Sequence, residues 1–208
     1  MNPYGVTRQF RDLVQREALS GTEVHYLWRL ESGALRIDSA DADGVETLVR
    51  LALPGDLLGM ESALGVPDRF SVRALTASRL VPIDRSTGEL STLLMACVIT
   101  GYQRNRDMVR LRSGSAADRI KALLHMLTNA DSASTMQPAA CTLPTLSDIA
   151  AIVHAAPETV SRALAGLRQT SFLHESSPQG DKHKRLALRA HCLQRRDVGA
   201  IATGVAAC

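Results

Sequence analysis

A change of hydrophobic period near Glu89 constrains this chain more than any other feature. Before it, strand-length stretches recur about every 8–12 residues. VHYLWRL, ALRIDS, ETLVRLAL, LLGM, RFSVRAL and RLVPID are separated by Glu31-Ser32-Gly33, a turn at 40–44, Pro54-Gly55-Asp56 and the loop through Gly65-Val66-Pro67-Asp68. Short stretches punctuated by Gly, Pro and Asp predict a small antiparallel sandwich or barrel, with His25 inside its first strand. After the change, Leu94, Val98, Gly101, Asn105, Met108 and Arg112 follow one another at alternating steps of four and three. That spacing places them on one stripe of a helix over 89–112. A seam mixing apolar residues with Gly and Asn lets two helices approach and fixes their register. Leu94, Val98, Gly101, Asn105 and Met108 are therefore the expected dimer interface. The competing reading is a helix packed on its own sandwich.

Ser113-Gly114-Ser115 breaks or bends that helix, a plausible hinge. AADRIKALLHMLTN restarts a helix with Ile120, Leu123, Leu124 and Leu127 on its apolar face, and 130–142 reads as a small-residue loop. The most informative stretch follows: LSDIAAIVHAAPETVSRALAGL, residues 146–167. Ile149, Val153, Ala155, Val160 and Ala163 fill the apolar slots of a helix-turn-helix, and Ala150 is the small residue where the two helices cross. Thr145 and Asp148 suit the start of the first helix as capping residues. Pro157 suits the start of the second, where its missing N–H is not needed. Glu158, Thr159, Ser161 and Arg162 then project from the end that enters a major groove in this motif. Arg can fork onto guanine O6 and N7, Glu can accept from cytosine N4, and Ser can serve either base. His154 occupies the turn position usually held by Gly, at a cost of about 1 kcal/mol in a left-handed conformation. A turn role for His154 outweighs a metal-binding one.

Charge agrees in direction. Residues 1–85 carry 10 basic and 12 acidic side chains, whereas 143–208 carry 8 and 5, including Lys182, Lys184 and Arg185. A basic last third suggests a polyanion partner. Phe172-Leu173, a polar loop at 176–181 and KHKRLAL have the layout of a wing, whose cations would give salt-dependent, sequence-blind affinity for phosphates. The 45% apolar content and the length allow a buried core, and no apolar run nears the roughly 20 residues that span a bilayer. MNPYGVTRQFRDL has no apolar segment of the secretory kind. Cys97, Cys141, Cys192 and Cys208 are widely spaced, which suits reduced thiols in a cytoplasmic protein rather than disulfides or zinc. Cys97 is the better-placed redox candidate, with a buried inert thiol as the default. A cupin-type enzyme needs His-x-His with a carboxylate, and this sandwich has one His. No Ser-His-Asp spacing, P-loop or Gly-rich dinucleotide loop is present, so the chain reads as no enzyme.

YLWRLESGALRI, LPGDLLGMESALG, SVRALTASRLVPID, AADRIKALL and DIAAIVHAAPETVSRAL, in this order, resemble the Crp/Fnr family of bacterial transcription regulators over nearly the whole chain. The resemblance implies an α+β architecture in three parts: a double-stranded β-helix (jelly-roll) sensor sandwich at 1–88, a dimerisation helix at 89–112, and a winged helix-turn-helix at 113–208. It also implies double-stranded DNA, a second copy of the chain and RNA polymerase as partners, with no membrane. Glu158, Ser161 and Arg162 match the Glu-x-x-Ser-Arg pattern of the Fnr and FixK branch and would read TTGA-type inverted half-sites. Thr145, Thr159, Arg168, Lys182, Lys184 and Arg185 would contact the DNA backbone. The family's cyclic-nucleotide cassette is Gly-Glu followed by Arg-Ser/Thr-Ala. Here Met60 stands between Gly59 and Glu61, and Arg69 is followed by Phe70. Cyclic nucleotides are therefore not expected, although Glu61 and Arg69 mark the effector pocket if one is bound. No cysteine precedes Cys97 to hold an iron–sulfur centre, haem would have to rely on His25, and no metal-ligand cluster appears. No cofactor is expected. The alternative is a ligand-binding or protein-interaction module of the same fold that has lost specific DNA binding, in keeping with His154 and with Ser171 where the family often has Gly.

Overall fold

Alternating apolar and polar side chains build the N-terminal half as two facing antiparallel sheets. The computed structural model describes residues 9–41, 43–65, 70–83, 90–132, 140–170, 173–175 and 185–188. One sheet has the order β1 (Arg11–Leu13), β7 (Ser78–Pro82), β2 (Trp28–Ser32), β5 (Leu57–Leu58). The other has the order β4 (Glu46–Ala52), β3 (Leu35–Ala40), β6 (Phe70–Ala74). Leu13, Trp28, Leu30, Leu35, Ile37, Val72 and Leu80 fill the space between them. This is the antiparallel sandwich that the sequence predicts. Gly33 is essential to one corner: its φ is +88°, and a Cβ there would lie 2.3 Å from the Ala77 carbonyl oxygen.

Three local expectations need correction. His25 is not inside a strand; it closes a 3₁₀ turn, Glu23–His25, and its Nδ1 lies 2.7 Å from Ser62 Oγ. LLGM does not continue as a strand beyond Leu58, because Gly59 turns left-handed and the short helix α1 (Met60–Ala63) starts after it. The segment 130–142 is not all loop. Its first residues continue a helix through Ser132, and Ala140–Thr142 form β8.

The long helix α2 (Leu90–Arg112) ends at Ser113, and Gly114 at φ +84° turns the chain into α3 (Ala116–Ser132). Ser115 Oγ accepts from the Asp118 N–H and starts α3 cleanly. Beyond it come α4 (Leu146–Val153), α5 (Pro157–Gln169) and a small antiparallel sheet ordered β8, β10 (Arg185–Leu188), β9 (Leu173–Glu175). Ile120, Leu123, Leu124 and Leu127 are buried, as their spacing requires. Their core includes Leu48, Leu51, Leu53 and Leu75 from the sandwich as well as Ile149, Val153, Val160 and Leu164 from α4 and α5. At about 1.5–3 kcal/mol per fully buried aliphatic side chain, this shared core holds the two halves together.

On α2 the inward face is set by Leu93, Leu94 and Cys97, which meet Leu27, Leu57 and Met60. Arg104 forks onto Asp56 at 2.7 and 3.1 Å and reaches Asp107 at 2.7 Å, which ties the Pro-Gly-Asp turn to the helix. Burial works against the Arg104 charge, but Asp56 and Asp107 outweigh it and hold its pKa above the ordinary value. Of the residues expected at a dimer seam, Leu94 and Met108 pack inward and Gly101 is half-buried, while Val98 and Asn105 are exposed. The exposed apolar stripe is Met95, Val98, Ile99, Tyr102 and Val109.

Candidate nucleic-acid interface and sensor pocket

Thr145 stands in extended conformation at the start of α4, and its hydroxyl accepts from the Asp148 N–H at 3.2 Å. The same hydroxyl donates to the Asp148 carboxylate at 2.6 Å. Ile149, Ile152 and Val153 bury one side of the helix. At its far end His154 is left-handed, with φ 52° and ψ 57°. The His154 and Ala155 N–H groups both donate to the Ala150 carbonyl, while Arg119 donates from α3 to the carbonyls of Val153 (2.6 Å) and His154 (3.3 Å). A cation on the last carbonyls suits a helix C-terminus and offsets part of the strain of a non-glycine residue there. Sequence reasoning missed Arg119, because its partners lie 34 and 35 residues away. His154→Gly is expected to raise stability by about 0.5–1 kcal/mol, since Gly takes the left-handed conformation without strain and the imidazole removed is exposed. A thermal melt that moves down instead would show that the imidazole stabilises the turn.

Pro157 opens α5. Val160, Leu164 and Leu167 bury one face of it, and Glu158, Ser161, Arg162 and Arg168 are exposed while Thr159 is half-buried. Arg162 Nε makes a long contact, 3.4 Å, with the Glu158 carbonyl. Glu158, Ser161 and Arg162 sit at steps of three and one, so the fold brings them onto one outward patch. Thr145 is engaged by its cap. Arg185 opens β10 opposite Thr142. Lys182 and Lys184 lie outside the described residues, as does Arg69.

Inside the sandwich, Leu19, Val24, Ile37, Leu58, Phe70 and Val72 line a pocket together with Gly59, Arg50 and Glu61. Gly59 is fixed by φ +78° and by Tyr26, whose carbonyl oxygen a Cβ would meet at 2.1 Å. Arg50, missed in the sequence, donates to the Leu57 carbonyl at 3.2 Å and is the described cation of this pocket lining. Burial pushes the Cys97 thiol up and Glu61 adds to the shift, so Cys97 is a poor thiolate. Among the described residues no group of three or more His, Cys, Asp or Glu could hold a metal ion, and no helix is long and apolar enough to cross a membrane.

Residues 19–90 match the cyclic nucleotide-binding domain family. Among solved structures, the chain superposes on a CRP-family transcriptional regulator from Thermus thermophilus with TM-score 0.61 and 25% identity, covering 86% of this chain and 91% of that one. It superposes on FixK2 from Bradyrhizobium japonicum with TM-score 0.63 and 23% identity, covering 91% and 98%. The fold is that of the Crp/Fnr regulators. Among curated proteins, transcriptional regulator LdrP of Thermus thermophilus is 26% identical over 158 residues, 74% of this chain and 81% of the relative. Regulatory protein HlyX of Actinobacillus pleuropneumoniae is 24% identical over 164 residues, 74% and 68%. These relatives are transcription regulators, and the matched family model gives the sandwich the character of a cyclic nucleotide-binding-like domain. Glu61, on the short helix α1, is among the residues that line the sandwich pocket.

Proposed function

We propose that the chain is a homodimeric, cytoplasmic, sequence-specific DNA-binding regulator of the Fnr/FixK type, which reads TTGA-like inverted half-sites with α5. The observation that carries this reading is the split of α5: Val160, Leu164 and Leu167 are buried, and Glu158, Ser161 and Arg162 form the exposed patch. That patch offers a bidentate donor for guanine, an acceptor for cytosine N4 and a hydroxyl that serves either. Thr159, Arg168, Lys182, Lys184 and Arg185 contact phosphates, and the Thr145 cap presents the start of α4 to the backbone. Two copies join through α2, whose exposed apolar residues Met95, Val98, Ile99, Tyr102 and Val109 share one side of the helix. RNA polymerase is the further partner. Selection of binding sites from a random DNA pool tests the reading: inverted TTGA-type half-sites support it, and recovery of no common sequence overturns it.

The effector is not a cyclic nucleotide in this reading. Met60 displaces Glu61 from the cassette position, and the pocket walls are mostly apolar. A ligand can shift a two-state protein only through unequal affinity for the two states. The free dimer is therefore expected to bind its palindrome without cyclic AMP or cyclic GMP. A mobility-shift titration in which either nucleotide is required for binding would refute this.

A further inference from the structure

The inner strands of the sandwich place two arginines opposite each other. In the β3–β6 ladder Arg36 pairs in register with Arg73, on the face that looks toward the helices. Directly opposed like charges destabilise a sheet unless an anion lies between them. Asp148, from the first turn of α4, supplies it: its Oδ1 lies 3.1 Å from Arg73 and 3.6 Å from Arg36. Asp38 holds the other side of Arg36 through two hydrogen bonds. The groups are dry, with Asp148 4%, Arg36 7% and Asp38 1% exposed. Gln15 Nε2 adds a second tie, bonding the carbonyls of Leu75 in the sandwich and Leu143 just ahead of α4, both at 2.9 Å.

Apolar contact alone is non-directional, and the break at 113–115 would let α3, α4 and α5 swing on α2. In some folds a buried polar or ionic group, unlike apolar contact, fixes the register of the elements it joins. We infer that Asp148, held by Arg36 and Arg73, is a positioning residue that locks the helix-turn-helix against the sandwich and so sets the distance between the two α5 helices of a dimer. Its consequence is a preference for one half-site spacing. The inference rests on the proposed role of α5 in reading DNA.

The test uses the full chain with Asp148→Asn and, because Arg73 is partly exposed and gentler to replace, Arg73→Gln. Binding is measured on duplexes carrying the same two half-sites at centre-to-centre spacings around one helical turn, about 8–14 base pairs, and on duplexes with one altered base. The parent is expected to favour one spacing. Both variants should keep the parent's base preference while the penalty for a wrong spacing falls by about tenfold. A folded variant with the parent's spacing preference overturns the inference, as does a parent with no such preference. If Asp148→Asn does not fold, Arg73→Gln decides alone. Small-angle scattering of the free proteins keeps the two readings apart. A parent that selects no DNA sequence refutes the reading of α5, and with it the spacing role. An unchanged scattering profile in Arg73→Gln refutes the lock whatever the DNA result.

Discussion

If two copies join through α2 as proposed, Val98→Glu is expected to yield monomers and to remove high-affinity binding to inverted repeats. Val98 is 68% exposed on one chain, between Met95, Ile99 and Tyr102. In a two-fold interface the same residue arrives from both copies, so one substitution buries two carboxylates near each other. Each loses water without gaining a cation, a cost of several kcal/mol per ion. Dissociation then turns a two-half-site contact into a single one, and the lost effective concentration lowers apparent affinity by about 10²–10⁴. Light scattering and a mobility-shift titration on one and two half-sites measure both effects. A dimer of unchanged mass would remove α2 from the interface. Leu94→Glu makes the informative contrast. Leu94 packs on the chain's own cluster around Leu27, Leu57 and Met60, so that variant should lower the melting temperature rather than only the mass.

The difference between Val98 and Leu94 shows where sequence pattern stops being informative. A step of four and three identifies a helix but tolerates a rotation by one residue, and Gly101, Asn105 and Arg112 in the stripe carry little weight against such a shift. Only the packing of Leu93 and Cys97 on the sandwich, and the fork of Arg104 onto Asp56, fixes which side faces inward. The helix-turn-helix was far more legible, because its constraints are local: slot residues at fixed offsets, a capping Thr145, a Pro157 at a helix start. Even the strain at His154 could be read from one residue type in one turn position. Strand β1 escaped notice for the opposite reason. Three residues, Arg11 to Leu13, form a strand because Leu80, Arg79 and Ser78 offer an edge, and nothing within RDL says so. The Arg36, Arg73 and Asp148 cluster was equally hidden, since Arg73 and Asp148 lie 75 residues apart and Asp148 alone reads as a capping residue.

Arg162→Ala is expected to cost about 1–3 kcal/mol per half-site, the worth of one bidentate arginine–guanine pair. Because both copies lose the contact, the loss on a full palindrome approaches twice that value if the half-sites act independently. The folded state should tolerate the change, since Arg162 is exposed and, among the described residues, its contact is a long one to the Glu158 carbonyl. Alanine is also a better helix former than the residue it replaces. The substitution should therefore reduce discrimination at one base pair of each half-site and leave the melting temperature nearly unchanged. Lys184→Ala gives the comparison. If its side chain neutralises a phosphate, affinity should fall by a similar factor for every sequence, and the slope of log affinity against log salt should shrink by about one. Binding measured on a set of single-base variants at two or more salt concentrations separates the two behaviours. Arg162 is excluded as a base-reading residue if Arg162→Ala weakens all sequences equally and changes the salt slope as Lys184→Ala does.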